Sequence, residues 1–229
     1  MSAMGALLAV QLLTPTPDTV SRALDRVEPA PALRARFEAT VASGRAYRTF
    51  VFDPYSQVAS KFTITASAGD DEELDAIVQA WRAEEQADAR LFADDLRDSL
   101  GEARAKPNAA GWAVEFRHRI SPNDGPVDAL VSSKMVGELA LDPRSGNLTE
   151  VHYRIVKPIQ LEDGTKLYDY SQTYQFGYSP RWDVSYVSGY EMQARGGRWG
   201  FSDTRMFRVT LRNVSFRMAG DARQELASR

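Results

Sequence analysis

From Tyr168 to Tyr178 the chain alternates. Tyr168, Tyr170, Tyr174, Phe176 and Tyr178 share one parity, and Asp169, Ser171, Thr173 and Gln175 take the other. A period of two puts one set on each face of a β-strand, one apolar and one polar. The scheme recurs from Gly111 to Phe216. Trp112, Val114, Phe116, His118 and Ile120 are in phase, then Met135, Leu139 and Leu141, then Val151, Tyr153 and Ile155, then Val184, Tyr186, Tyr190 and Met192. Turn signals separate the segments: Ser121–Pro126, Asp142-Pro-Arg-Ser-Gly-Asn147, Asp163-Gly164 (a type I′ pair), Ser179-Pro180 and Gly196-Gly197. In the last segment Phe207, Val209 and Leu211 hold one phase and Val214 and Phe216 the other. That slip predicts a bulge or sharp bend near Arg212-Asn213.

The first half follows other periods. Thr16 and Pro17 open a helix with Val20, Ala23, Leu24 and Val27 on one face, and Glu28-Pro-Ala-Pro31 breaks it. Leu33, Phe37 and Val41 predict a second short helix stopped by Gly44. Ala46–Asp53 and Val58–Ala66 predict a hairpin of two strands around the turn at Asp53–Ser56. Asp70 with Glu73 resembles a capping box for a long helix ending at Gly101. Its apolar stripe lapses across Glu84–Asp88, which reads as an exposed middle or a kink, and Ala103–Ala110 reads as a linker. These elements give an α+β fold: a curved antiparallel sheet, an open half-barrel, covered by N-terminal helices. One domain spans 18–218, with the helical cover in 18–103 and a long meander in 111–217. A polar tail follows at 219–229.

Composition narrows the chemistry. The 229 residues contain no cysteine and only two histidines, His118 and His152, which leaves no thiol chemistry, no thiolate metal site and little for a histidine site. His118 shares its phase with aromatic residues and reads as structural; His152 lies opposite and reads as solvent-facing. Net charge is −3, with −5 through Ala109 and +2 beyond. Arg181, Arg195, Arg198, Arg205, Arg208, Arg212 and Arg217 alternate with aromatics, but Asp183, Glu191 and Asp203 dilute them. We read them as outward charges on a sheet, not as a nucleic-acid surface. There is no phosphate loop and no Gly-x-Ser-x-Gly elbow, and the paired glutamates Glu72-Glu73 and Glu84-Glu85 have no facing partner. No enzyme activity and no cofactor are expected. Residues 1–17 include the apolar run Met4–Leu13, too short to span a bilayer and of the length of a secretory leader, although no basic residue precedes it. Two readings stay open, a leader that directs the chain to the periplasm or an apolar arm packed on the sheet of a cytoplasmic protein.

Gly137-Glu-Leu-Ala-Leu-Asp-Pro-Arg-Ser-Gly-Asn-Leu148 resembles the strand-turn-strand of the LolA-like group of periplasmic lipoprotein carriers, as does the order of leader, helices and long strands ending in Val-Ser-Phe216. The resemblance implies an unclosed barrel under helical lids that binds acyl chains without chemistry. Its lining here would be Trp112, Val114, Phe116, Met135, Leu139, Tyr153, Tyr168, Tyr170, Tyr174, Phe176, Tyr186, Tyr190 and Phe207. Five of the nine tyrosines fall between Tyr153 and Tyr178. A buried phenol needs a hydrogen-bond partner, so such a face suits a wet or ligand-lined surface better than a dry core. The expected partner is an apolar ligand, an acyl chain or a lipoprotein. The alternative is an envelope interaction module with a filled core.

Overall fold

The computed structural model describes residues 17–56, 60–93, 96–108, 111–120, 125–198 and 201–219, with the side chains of 17, 105–108, 111–112 and 201–202 outside the description. Helix α1 is Pro17–Asp25. Strands β1 (Leu33–Ser43), β2 (Ala46–Phe52) and β3 (Phe62–Ala68) follow. Helix α2 (Glu72–Ala83), a 3₁₀ turn (Ala87–Leu91) and α3 (Leu96–Ser99) lead into β4 (Leu100–Asn108) and β5 (Gly111–His118). After α4 (Pro126–Ser132) come β6 (Met135–Leu141), β7 (Leu148–Ile155), β8 (Ile159–Gln160), β9 (Lys166–Ser179), β10 (Val184–Arg198) and β11 (Phe201–Met218). All eleven strands form one antiparallel sheet in the order β3-β2-β1-β11-β10-β9-β7-β6-β5-β4, with β8 beside β9. It does not close: β3 and β4 are its free edges. The last strand returns to pair with the first, which joins an N-terminal three-strand meander to a C-terminal one.

Leu33–Ser43 corrects the predicted second helix. Its residues pair with β11 on one side and β2 on the other. Leu33, Phe37 and Val41 satisfy a four-residue helical spacing, but Ala35 and Ala39 complete an every-other-residue row that is buried throughout. Small alanines made a strand look helical. The hairpin partner begins at Phe62; of the expected Val58–Ala66, Val58 and Ala59 lie outside the described residues. The long helix is also corrected. It stops at Ala83, the lapse at Glu84–Asp88 is a true break, and its cap is Asp71, whose carboxylate accepts from the Leu74 N–H at 3.0 Å. Gly101 does not end it. That residue lies inside β4, and the predicted linker is mostly that strand. Thr16, Leu13 and the rest of 1–16 lie outside the described residues.

The predicted bulge is where the phase slip put it. Arg36 pairs with Ser215 and Glu38 with Arg212, so β11 carries an extra residue, and Asn213 has φ of 53°. The extra residue returns Phe216 to the face of Val209 and Leu211. Two turn predictions change. Glu162–Gly164 is a three-residue loop with only Gly164 left-handed, at φ 84°, because the Asp163 carboxylate folds back on the Thr165 N–H and hydroxyl at 2.9 and 2.8 Å. Gly196 and Gly197 remain inside β10, opposite Leu167 and Lys166.

Helices cover one face of the sheet, here the inner face, in two places. Under α2 and the 3₁₀ turn lies an aromatic cluster. Phe50 stacks on Phe62 with centroids 4.2 Å apart and meets Trp81 edge-on at 5.3 Å, while Phe37 meets Trp81 at 5.9 Å. Arg48, 8% exposed, fastens α2 to β2 through Asp75 at 2.7 Å. Asp88 of the 3₁₀ turn, 2% exposed, accepts from the Ala35 N–H at 2.9 Å, where β1 has already outrun β2. The carboxylate takes the place of a missing strand, since a buried N–H left alone is costly. Under α1 and α3 lies a mostly aliphatic cluster of Leu24, Val27, Leu96, Leu139, Leu148 and Val151. Arg97 pairs with Asp25 and Glu28 and ties α3 to α1.

Candidate functional site

Strand registers place one row of side chains across the inner face: Val41 of β1, Val209 of β11, Tyr190 of β10, Tyr174 of β9, Val151 of β7, Leu139 of β6 and Val114 of β5. The two outer stretches of this row are buried beneath the helices. Its centre, Tyr174 and Tyr190, is only half-buried, and Tyr174 packs against both clusters. The next rows add Phe207, Met192 and Gln172, then Tyr170 opposite Ala194. A strip of half-exposed side chains therefore runs across β9, β10 and β11 between the two helical covers. Aromatic rings link it to the core. Phe116 meets Tyr153 at 5.7 Å, Tyr153 meets Tyr174 at 6.2 Å, Tyr174 meets Tyr190 at 4.8 Å and Tyr190 meets Phe207 at 6.2 Å.

The hydroxyls report the surroundings. Tyr170 accepts from Gln172 Nε2 at 2.5 Å, and burial raises its phenol pKa, with a smaller push from Asp128. Burial raises the Tyr190 phenol further. Both stay protonated through the physiological range, so neither phenol brings a charge to the strip, which is rich in ring faces. Tyr153 is more deeply buried, and its hydroxyl shares a 3.1 Å hydrogen bond with Ser99 of α3. His118 stacks edge-on against Tyr153 at 5.0 Å, and its Nδ1 is buried without a hydrogen-bond partner. His152 is half-buried on the outer face, bonded through Nδ1 to the Thr173 hydroxyl at 2.9 Å.

No family model, curated protein or solved structure matches the chain.

Ten of the thirteen candidate residues fall into two groups, and Tyr186, Trp112 and Tyr168 stand apart. Tyr170, Tyr174, Phe176, Tyr190 and Phe207 come together on or beside the half-exposed strip. Val114, Phe116, Met135, Leu139 and Tyr153 are buried in the cluster under α1 and α3. Gly137 makes room there: a Cβ on it would stand 2.2 Å from the Phe116 ring, so that ring lies flat across its backbone. Tyr186 packs on Phe216 at 5.3 Å, beyond the point where β10 and β11 stop pairing at Gly189–Thr210, on the side reached by Phe92. The side chain of Trp112 lies outside the described residues. Tyr168 is a correction. Arg195 pairs with Asp169 and Gly196 with Leu167, so Tyr168 is an extra residue that breaks the parity of β9. It stands by Arg195 and Lys166, 5.8 and 5.5 Å from its ring, while Leu167 takes the inward place. Met192 and Gln172 complete the strip and are absent from the expected lining. Met192 was legible by phase; Gln172 shares the parity of the tyrosines but is polar.

The outer face carries cross-strand ion pairs, Arg195 with Asp169 and Arg208 with Glu191. Two hollows among the described residues lie away from the strip. One of about 480 Å³ is bounded by Arg34, Asp88, Phe92 and Arg97, and a smaller one of about 250 Å³ by Arg34, Tyr55, Lys61 and Glu85. Both have mixed polar and apolar walls. No group of three or more His, Cys, Asp or Glu fit to hold a metal ion occurs among the described residues, and none of their helices is long and apolar enough to cross a membrane.

Proposed function

We propose that the protein binds a slender apolar ligand, an acyl chain or the lipid part of a lipoprotein, along the half-exposed strip between its two helical covers, and does no chemistry on it. The observation behind this reading is the ring-faced strip itself: Tyr170, Tyr174, Tyr190, Met192 and Phe207 are half-buried, and the row of Tyr174 and Tyr190 is flanked on both sides by the buried Val151 and Val209. Large apolar side chains left in the middle of a covered face mark a place where something else completes the burial. Each methylene removed from water contributes about 0.8 kcal/mol. Affinity for straight-chain fatty acids should therefore rise about fourfold per added methylene until the strip is filled.

A second reading has its own support. Both covers rest on packed clusters, with Phe37, Leu74 and Leu139 at 1% exposure or less, and the hollow of about 480 Å³ lies elsewhere. An interaction module with a filled core needs nothing more. Titration with cis-parinaric acid, a fluorescent fatty acid, separates the two. A carrier takes it up saturably, and Met192→Asp with Phe207→Asp abolishes uptake while circular dichroism shows that the variant is still folded. Absence of uptake by the wild-type chain would remove the carrier and favour the module.

A further inference from the structure

Six large apolar side chains stand exposed among the described residues, and three of them share one end of the sheet. Ile120 (53% exposed) lies just past β5, Val156 (55%) just past β7, and Val127 (55%) on α4, the helix that returns the chain to β6. The topology forces this grouping, because β5 and β7 finish where β6 begins. The other three, Tyr47, Ile64 and Met206, lie on β2, β3 and β11. Five bases share the end with the aliphatic three: Arg117, Arg119, Lys134, Arg154 and Lys157, all exposed. None has a carboxylate partner among the described residues, whereas Arg26, Arg36, Arg48, Arg90, Arg97, Arg195, Arg205 and Arg208 all do. The acids at the same end are Asp98 on α3, Glu102 on β4, Asp128 on α4, Asp203 on β11 beside Arg205, and Glu162 and Asp163 in the β8–β9 loop, where Asp163 is engaged with Thr165. The strip opens here as well. Tyr170 is its row nearest this end, and Asp128 of α4 is close enough to act on the phenol.

Separate aliphatic tips ringed by bases that have no carboxylate partner among the described residues match the chemistry of a bilayer surface. The tips enter at headgroup depth, and the bases neutralise anionic lipid phosphates. A protein partner would call for a continuous apolar patch with charges at its rim. We propose that this end docks on an anionic bilayer surface, with Ile120, Val127 and Val156 inserted and the mouth of the aromatic strip turned toward the lipids. The inference rests on the carrier reading for its purpose, but its test is independent of that reading.

The test is co-sedimentation of the full chain with vesicles of phosphatidylcholine alone and of phosphatidylcholine mixed with phosphatidylglycerol. The wild type should sediment with the mixed vesicles and release at high salt, since surface charge attraction is screened. Ile120→Asp with Val156→Asp should lower the bound fraction about tenfold, and Arg119→Glu with Lys157→Glu should lower it as well. Met206→Asp, which alters an exposed apolar residue elsewhere, should change nothing. The proposal is overturned if the wild type stays in the supernatant, or if Ile120→Asp with Val156→Asp sediments like the wild type. Uptake of cis-parinaric acid without vesicles is measured on the same proteins. For the wild type, absent vesicle binding with uptake intact sinks the docking alone, and absent uptake with vesicle binding intact sinks the carrier and leaves the docking standing.

Discussion

The two aromatic populations of the inner face are built from different residues. Beneath α2 the rings are Phe37, Phe50, Phe52, Phe62 and Trp81, all buried. In the strip between the helices they are chiefly tyrosines, Tyr170, Tyr174 and Tyr190, half-buried. A phenylalanine makes no demand in a dry core, while a phenol buried without a partner loses its hydrogen bonds to water. Phe207 aside, the chain uses phenylalanine where a helix seals the sheet and tyrosine where none of the described helices does. Tyr153 is the informative exception, sealed and yet a tyrosine, with Ser99 of α3 placed to meet its hydroxyl. The difference teaches that the strip is not an unfinished core. It is a surface whose side chains tolerate water and still offer ring faces.

The comparison is tested hardest by deleting one ring from each side. Phe50 is fully buried between Phe62 and Trp81, so Phe50→Ala should cost about 3–5 kcal/mol of unfolding free energy. Phe207 is half-buried, and Phe207→Ala should cost no more than about half as much. Urea unfolding of both variants gives the ratio. Equal costs would mean that the strip is core and that the covers extend over it.

What the sequence could and could not reveal follows the same division. Alternation carried the meander, because long strands with one covered face repeat their signal many times, and the phase change after Leu211 located the bulge at Asn213. Where a strand used alanine, as β1 does at Ala35 and Ala39, the remaining large residues imitated a helix. Strand β4 was hidden by Gly101, Pro107 and its charges, which are residues of an edge strand and of a loop alike. The bulge at Tyr168 left no local trace. It is set by how β9 pairs with β10, so the parity of the tyrosine strand misplaced one member of the site. The boundary between sealed core and open strip was also out of reach, because it depends on where short helices land and not on the strands they cover. Candidate residues were therefore on the right face more often than in the right environment.

A smaller effect separates the sealed tyrosine from the open ones. Tyr153→Phe removes the hydroxyl bonded to Ser99 and should cost about 1 kcal/mol, the usual net value of one hydrogen bond. Tyr174 would not serve as the control, because it touches both clusters. Tyr190 does.

The smallest expected effect is Tyr190→Phe at neutral pH, where unfolding free energy should stay within about 0.5 kcal/mol of the wild type, as for a substitution that disturbs no core and breaks no bond. Its consequence is expected at alkaline pH. Burial raises the folded-state pKa of this phenol above its ordinary value near 10. The folded protein then holds a proton that the unfolded chain releases, so stability is intact below about pH 10 and falls as pH rises beyond it. Tyr170 is shifted in the same direction and adds to the fall. Urea midpoints measured at neutral pH and at about pH 11 should therefore converge less in the wild type than in Tyr190→Phe, the variant keeping more of its neutral-pH stability. An identical alkaline loss in both proteins would mean that the Tyr190 phenol is as well solvated when folded as when unfolded, and the strip would then be open water-washed surface with no partly dry floor to hold an apolar chain.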